Sequence, residues 1–259
     1  MRYAETRPAP AAAPLVAQYW TFEAGALPDG AADHVIPPDG LVSMWLSTDA
    51  SNAVFCGVTG PSEKAHRTTV HNGQRLAGAR LQPGAGVSVF GAGMPALVGR
   101  FLPLTELAPM LVGPFTDAAL PALAGDWRRL DTFFSDFTAN AAPPDPAARK
   151  MAERLIESDG AAPIAKLAQD VGLSPRQARR RFEAAIGLSP KNFARLRRVR
   201  RACADAIRKE MSFADVSLEA GFADQAHLSR NFQSVFDLPP GKVRAHIRRI
   251  IHGEILDMP

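Results

Sequence analysis

Cysteine is nearly missing from this 259-residue chain: only Cys56 and Cys203 occur, far apart and without CxxC or Cys/His spacing. A disulfide framework and a cysteine-based zinc site are therefore not expected, and both thiols are predicted to be small buried hydrophobes. Long apolar runs are missing too. No stretch of about 18 apolar residues is present to span a membrane, and the opening MRYAETRPAPAAAPL lacks the continuous apolar core of a signal peptide. The chain is accordingly expected in the cytoplasm, with no membrane partner. No Ser/His/Asp or Cys/His constellation and no phosphate-binding glycine loop stands out, so neither catalysis nor a bound cofactor is expected. His66 and His71 could sit together in a cupin-like metal site, but no third ligand falls at the usual barrel spacing, and no metal is expected.

What is present is unevenly placed. Residues 1–144 carry 9 Lys+Arg against 12 Asp+Glu, whereas residues 145–259 carry 21 against 14. Positive charge gathered in one half points to a polyanion partner for that half alone. The proline-rich AAPPDPAA, Ala141 to Ala148, lies at the same place and reads as a linker, which predicts two domains, 1–144 and 145–259. Before it, prolines and glycines recur between short apolar stretches such as LVSMWL (Leu41 to Leu46) and GVSVF (Gly86 to Phe90), the pattern of short strands. TELAPMLV and Trp127 to Thr138 read as helices of the same β-rich domain.

After the linker, apolar residues recur three and four apart, as in Met151, Leu155 and Ile156, the period of an amphipathic helix. A helix is predicted from Ile164 to about Val171, stopped by Gly172 at a left-handed position. Another starts at the Ser174-Pro175 cap and runs to about Ile186, and a long one starts at Ser189-Pro190 and reaches about Lys209. The turn Gly172-Leu173-Ser174, with Leu167, Ala168 and Val171 facing Phe182 and Ile186, gives a helix-turn-helix. Its second helix turns Ala178 and Phe182 to the core and Arg176, Arg179, Arg180 and Glu183 the other way. Arginine pairs bidentately with guanine O6 and N7 in the major groove, so this face is expected to read DNA. The pattern returns in FADVSLEAGFADQAHLSRNF, where Val216, Ser217 and Gly221 match Leu167, Ala168 and Gly172. This copy is one residue longer between its glycine and Phe232, and its outer face offers Gln225, His227, Ser229 and Arg230.

AxxVGLSPRxxxRRF, the helix FARLRRVRRA, AGFADQAHLSRNF and the closing PPxKxR together resemble the DNA-binding domain of AraC/XylS-family transcription activators over residues 147–246. Ala178 stands where leucine is usual, Ser217 where alanine is usual and Val243 where an aromatic is common. The resemblance implies an all-α C-terminal domain with two helix-turn-helix units joined by a long helix, their recognition helices in successive major grooves about 34 Å apart. It implies double-stranded promoter DNA and RNA polymerase as partners. Carried over by position, Arg176, Arg179, Arg180, Gln225, His227, Ser229 and Arg230 are groove contacts. Lys191 and Lys242, beside the helix starts at Ser189 and Pro239, are phosphate contacts.

LVAQYWTFE, HVIPPDGLVSMWL, VTGP and GARLQPGAG, in that order, resemble a poorly characterised N-terminal domain found in one branch of AraC-like regulators. This implies a β-rich, barrel-like sensor or association domain, and an α+β fold for the whole chain. Asp39, Trp45, Arg80 and Gln82 are candidate pocket residues, although Pro37-Pro38-Asp39-Gly40 and Gln82-Pro83-Gly84 also suit turns, and Trp20, Trp45 and Trp127 also suit a core. A regulator modulated by a small-molecule effector or a homodimer contact is the leading expectation. An association scaffold without ligand, and a DNA-targeted enzyme using Cys56, remain open.

Overall fold

In a computed structural model the described residues are 1–27, 29–91, 93–208 and 211–251. Eight strands come first: β1 (Arg2–Thr6), β2 (Val16–Glu23), β3 (Ala31–Ile36), β4 (Ser43–Thr48), β5 (Val54–Thr59), β6 (His66–His71), β7 (Arg75–Leu81) and, after helix α1 (Ala85–Phe90), β8 (Phe101–Pro103). Helices α2 (Leu104–Leu107), α3 (Val112–Ala119) and α4 (Arg128–Asn140) complete the N-terminal part. The sheet order is β1-β2-β7-β4-β5-β8, every pair antiparallel, and β3 pairs with β6 in a separate two-stranded ribbon. The six-stranded sheet is open, with β1 and β8 at its edges, so the barrel-like expectation is corrected to a sheet with a ribbon laid across it.

Alternation along the strands gives that sheet two different faces. One carries Tyr19, Met44, Leu46, Val58, Ala77, Ala79 and Leu81 onto Phe115, Leu130 and Phe134 of α3 and α4. Each large side chain fully buried there contributes about 1.5–3 kcal/mol. The other face sets Trp20 opposite Gly78 and Trp45 opposite Gly57 in the cross-strand register. A Cβ on either glycine would overlap the neighbouring indole, so the two glycines let the rings lie across the strands.

GVSVF is helical, not a strand: α1 covers Ala85–Phe90. Both edges of the strand before it are already taken by β2 and β4, and Ala85, Gly86 and Val89 bury into the core instead.

The C-terminal part is helical throughout: α5 (Pro146–Glu157), α6 (Ile164–Asp170), α7 (Pro175–Ile186), α8 (Pro190–Arg208), α9 (Phe213–Glu219), α10 (Gln225–Phe236) and α11 (Pro240–Ile251). Lys209, where sequence ends the long helix, and residues 252–259 lie outside the described residues. One buried cluster runs from Met151, Leu167 and Phe182 through Phe193, Leu196 and Val199 of α8 to Val216, Phe232 and Val235. Both helix-turn-helix units are thus packed on α8, and Val35 of β3 joins the same cluster.

Candidate nucleic-acid interface and candidate effector cavity

Each helix-turn-helix is held open by its cap. Ser174 Oγ accepts from the Gln177 backbone N–H at 3.3 Å while Gln177 Oε1 accepts from the Ser174 N–H at 3.0 Å, a complete capping box at the start of α7. Ala178, Phe182, Ala185 and Ile186 turn inward, and Arg176, Arg179 and Arg180 are exposed, as the helical period requires. Arg179 is partly engaged, its Nε donating to Glu183 Oε1 at 2.8 Å. In the second unit the Asp224 carboxylate accepts from the His227 N–H at 2.6 Å, and Leu228, Phe232, Val235 and Phe236 form the inner face. Gln225 and Arg230 are exposed, Ser229 is half-buried, and His227 Nδ1 turns back to accept from the Ala223 N–H at 3.4 Å while its ring meets Phe222 edge-on. The extra residue of this copy lies in the turn: one residue separates Gly172 from its cap Ser174 and two separate Gly221 from Asp224.

The departures from the family pattern are accommodated. Ser217 is buried with its hydroxyl donating to the Ala214 carbonyl at 2.7 Å, and Val243 is buried beside Arg244, whose guanidinium lies 4.8 Å over the Phe213 ring. Lys191 and Lys242 are exposed near the starts of α8 and α11. The Ser189 hydroxyl already accepts one of the free N–H groups there, from Asn192 at 3.2 Å.

The most basic stretch of the sequence faces the protein. On α8, Arg195 reaches Glu63 at 2.9 Å, Arg201 reaches Asp205 at 2.5 Å and Asp159 at 2.7 Å, and Arg200 donates to the Pro38 carbonyl at 3.4 Å. Arg197 is buried, and that burial, with Arg200 close by, lowers it to about 10. Glu63, on the loop before β6, also accepts from Asn192 at 2.6 Å, and Ala65 donates to the Val235 carbonyl at 2.7 Å. The sheet half is therefore docked on both units. Sequence reasoning missed Glu63, because nothing local marks a lone surface glutamate as a partner for residues 129 and 132 positions away.

Between the glycine-backed indoles and the β3–β6 ribbon lies a cavity of about 210 Å³. Trp20, Phe22, Trp45, Leu76 and Phe101 give it apolar walls, and Asp39 and Arg80 a polar end. Trp45 Nε1 donates to Thr59 Oγ1 at 3.0 Å, which anchors the ring. Arg80 is gripped from four sides: Asp39 at 2.6 Å, Glu5 at 3.0 Å, Gln18 at 2.8 Å and the Tyr3 hydroxyl at 3.2 Å. Burial works against its charge, and the Tyr3 oxygen, Asp39 and Glu5 outweigh that and hold it protonated. Three of the four candidate pocket residues, Asp39, Trp45 and Arg80, thus meet here. Gln82 does not: past the end of β7 it donates to the Ala13 and Val16 carbonyls and pins the entry to β2. Trp20 lines the cavity while Trp127 stacks on Tyr19 at 5.5 Å in the core.

His66 faces the cavity stacked on Phe101 at 4.4 Å, its imidazole pulled below the usual value by burial. His71, an odd number of residues along the same strand, is exposed on the opposite face, so the two cannot share a metal. No cluster of three metal-ligating side chains occurs among the described residues. Cys56 sits 3.3 Å from Thr116 Oγ1 with its thiol pushed up by burial, and Cys203 is buried and raised to about 12, neither a setting for a nucleophile. No helix among the described residues is long and apolar enough to cross a membrane.

Comparison with known proteins adds two family matches. Residues 167–246 match a helix-turn-helix domain family, and residues 4–103 match a domain of unknown function, DUF6597. No curated protein matches. Among solved structures, a transcriptional regulator with an AraC-type DNA-binding domain from Chromobacterium violaceum is 24% identical over 39% of this chain and 90% of that one, with a TM-score of 0.37. ToxT from Vibrio cholerae is 9% identical over 95% of this chain and 99% of that one, with a TM-score of 0.44. Residues 4–103 thus belong to the DUF6597 family, and residues 167–246 are a helix-turn-helix domain.

Proposed function

We propose that this regulator grips promoter DNA with α7 and α10 in successive major-groove faces, and that a small molecule in the N-terminal cavity biases that grip. The observation that carries the first half is the pair of capped helices packed on α8, each with its core face buried and with Arg176 and Arg180 of the first and Gln225 and Arg230 of the second exposed. Arg176, Arg179 and Arg180 contact bases from the first, and Gln225, His227, Ser229 and Arg230 from the second, His227 through the ring edge that does not brace the turn. Lys191 and Lys242 hold phosphates. The division at 1–144 and 145–259 separates sensing from DNA binding in the cytoplasm, with RNA polymerase and a second copy of the chain as further partners.

Support for the second half comes from the position of the cavity. Its polar end, Asp39 and Arg80, adjoins α8, where Arg200 bonds the Pro38 carbonyl. An effector can shift DNA binding only through unequal affinity for two arrangements of the protein. The Pro38–Asp39 turn, which lines the cavity on one side and meets that helix through Arg200 on the other, supplies that inequality.

Selection of binding sites from random DNA, followed by footprinting, tests the docking. The expected site has two protected groove segments about one helical turn apart, and affinity falls with salt at a log–log slope of about −0.9 per phosphate contact. Lys191→Ala and Lys242→Ala each flatten that slope by about 1. One protected segment, or a flat salt response, sinks the two-groove reading. Mass spectrometry of small molecules retained by the full chain from cell extract tests the effector; none retained, with a dimer in sizing, favours the scaffold.

A further inference from the structure

The effector reading can be narrowed to a class of molecule. We propose that the cavity under the β3–β6 ribbon takes a compact, largely aromatic molecule bearing one anionic group, with that group seated at Arg80. This rests on the cavity being an effector site at all.

The walls select the body of the ligand. Trp20, Phe22, Trp45 and Phe101 present ring faces and edges, and the two indoles are fixed over glycines, so a flat apolar molecule meets preformed surfaces. Charge selects its head. Arg80 lies between Glu5 and Asp39, and alone would be over-compensated. Behind it, however, α8 brings Arg197 and Arg200, and no described carboxylate lies within ion-pair reach of either. Asp39 acts electrostatically on all three guanidiniums. Glu5 and Asp39 are thus shared by Arg80 and Arg200, and Arg197 has only Asp39 and Asp159, the latter already paired with Arg201; Arg197 Nε is buried without a hydrogen-bond partner, and Lys64 on the cavity wall adds another cation. Buried charge that is unpaired is costly, and one incoming anion restores the balance. A cationic ligand would deepen the imbalance and a neutral one would leave it unchanged.

The same geometry says what occupancy does. An anion at Arg80 competes with Asp39, and a released Asp39 is left to Arg197 and Arg200. Ligand charge is thereby converted into a new attraction between the Pro38–Asp39 turn and α8.

The test uses the full chain and three probes of one shape: 2-naphthoate, 2-naphthamide and 2-naphthylmethylamine, titrated by calorimetry and by the fluorescence of Trp20 and Trp45. Naphthoate is expected to bind at least tenfold tighter than the amide and the amine weakest. Arg80→Gln should erase the preference for the acid. Asp39→Asn, which removes the competing carboxylate, should strengthen naphthoate binding severalfold. Amide binding equal to the acid, or amine binding tighter, overturns the anion while leaving the effector cavity standing. No binding by any of the three overturns both. If Arg80→Gln does not fold, Asp39→Asn decides alone: unchanged or weaker naphthoate binding rejects the proposal.

Discussion

The two helix-turn-helix units are built alike and equipped differently. With Phe182 laid on Phe232, Arg180 falls on Arg230, Arg176 on Ala226, Arg179 on Ser229, and Gln177 on His227. Both copies keep one guanidinium at the centre of the exposed face, and only the first adds flanking arginines. A phosphate-rich groove rewards total positive charge, whereas base identity is read by single well-placed donors. Under the proposed docking the difference divides labour: the first unit would supply charge and guanine contacts, the second one guanidinium with the neutral polar groups of Gln225 and Ser229 beside it.

The largest test of that division removes the shared arginine from each copy in turn. Arg180→Ala should cost about 1–3 kcal/mol of specific binding and relax one base position. Arg230→Ala should relax a different position while leaving the salt slope of the first unit intact. Site selection and affinity titration at two salt concentrations read both quantities. Identical shifts at the same base position would show that the copies do not read separate half-sites. Next in size are the caps. Ser174→Ala and Asp224→Ala should each lower stability by about 1 kcal/mol in denaturant unfolding. Asp224→Ala should be the costlier, because a carboxylate also favours the positive end of the helix. The reverse order would mean that the reciprocal bond from Gln177 matters more than charge.

How much of this could be read from the chain follows the same contrast of local and distant signals. The caps Ser174 and Ser189, the stops at Gly172 and Gly187 and the 3.6-residue period are short-range features. Helices α7 and α8 accordingly lie where the sequence places them, to within a residue or so where described. Even the extra residue of the second turn was legible, since it appears as a spacing between Gly221 and Phe232. The cavity was only half legible. Asp39, Trp45 and Arg80 carry family-like surroundings, but the partners that give Arg80 its setting, Tyr3, Glu5 and Gln18, come from strands 62 to 77 residues away. Nor does the sequence say which way a basic helix faces. FARLRRVRRA looks like the strongest DNA surface, yet Arg195, Arg200 and Arg201 turn to Glu63, the Pro38 carbonyl, Asp159 and Asp205, and Arg197 is buried, because both helix-turn-helix units and the sheet half pack on α8.

A smaller effect separates the position after each shared arginine. In the first unit Arg181 reaches out to Asp145, at 2.8 and 3.0 Å, whereas its counterpart Asn231 is buried and donates to the His227 carbonyl at 2.9 Å. Asp145 also caps α5 by accepting from Ala147 and Ala148. Burial pushes its carboxyl up, but the bonds from Arg181 and the backbone win and hold it below the usual carboxylate range. A depressed carboxyl stabilises the fold above its unfolded value and loses that contribution as pH falls through the lower folded value. Asp145→Asn keeps a competent cap and removes the charge, so it should cost under about 1 kcal/mol near neutral pH, as partly exposed pairs do. The gap between the variant and the parent should narrow as pH falls below the usual carboxylate range and close only below the lowered folded value of Asp145, where both are uncharged at this position. A gap that persists in acid would assign the effect to the cap and not to Arg181.

The smallest expected effect bears on the residue whose role differs most between the copies. His227 occupies the third helical position, the place of Gln177, and both side chains reach back to a backbone N–H ahead of their helix, at 3.4 and 3.0 Å. The second turn is one residue longer, so the N–H reached is that of Ala223 and not of the cap itself. A glutamine at 227 can make the same kind of bond and still offers an amide toward the groove. His227→Gln should therefore change stability by less than about 0.5 kcal/mol and shift DNA affinity little, while His227→Ala loses both the brace and the contact. Should the glutamine variant fold as well as the parent but lose tenfold or more in affinity at one base position, the free imidazole edge makes a specific base contact. The second unit would then hold a reader that the first has traded for its capping box.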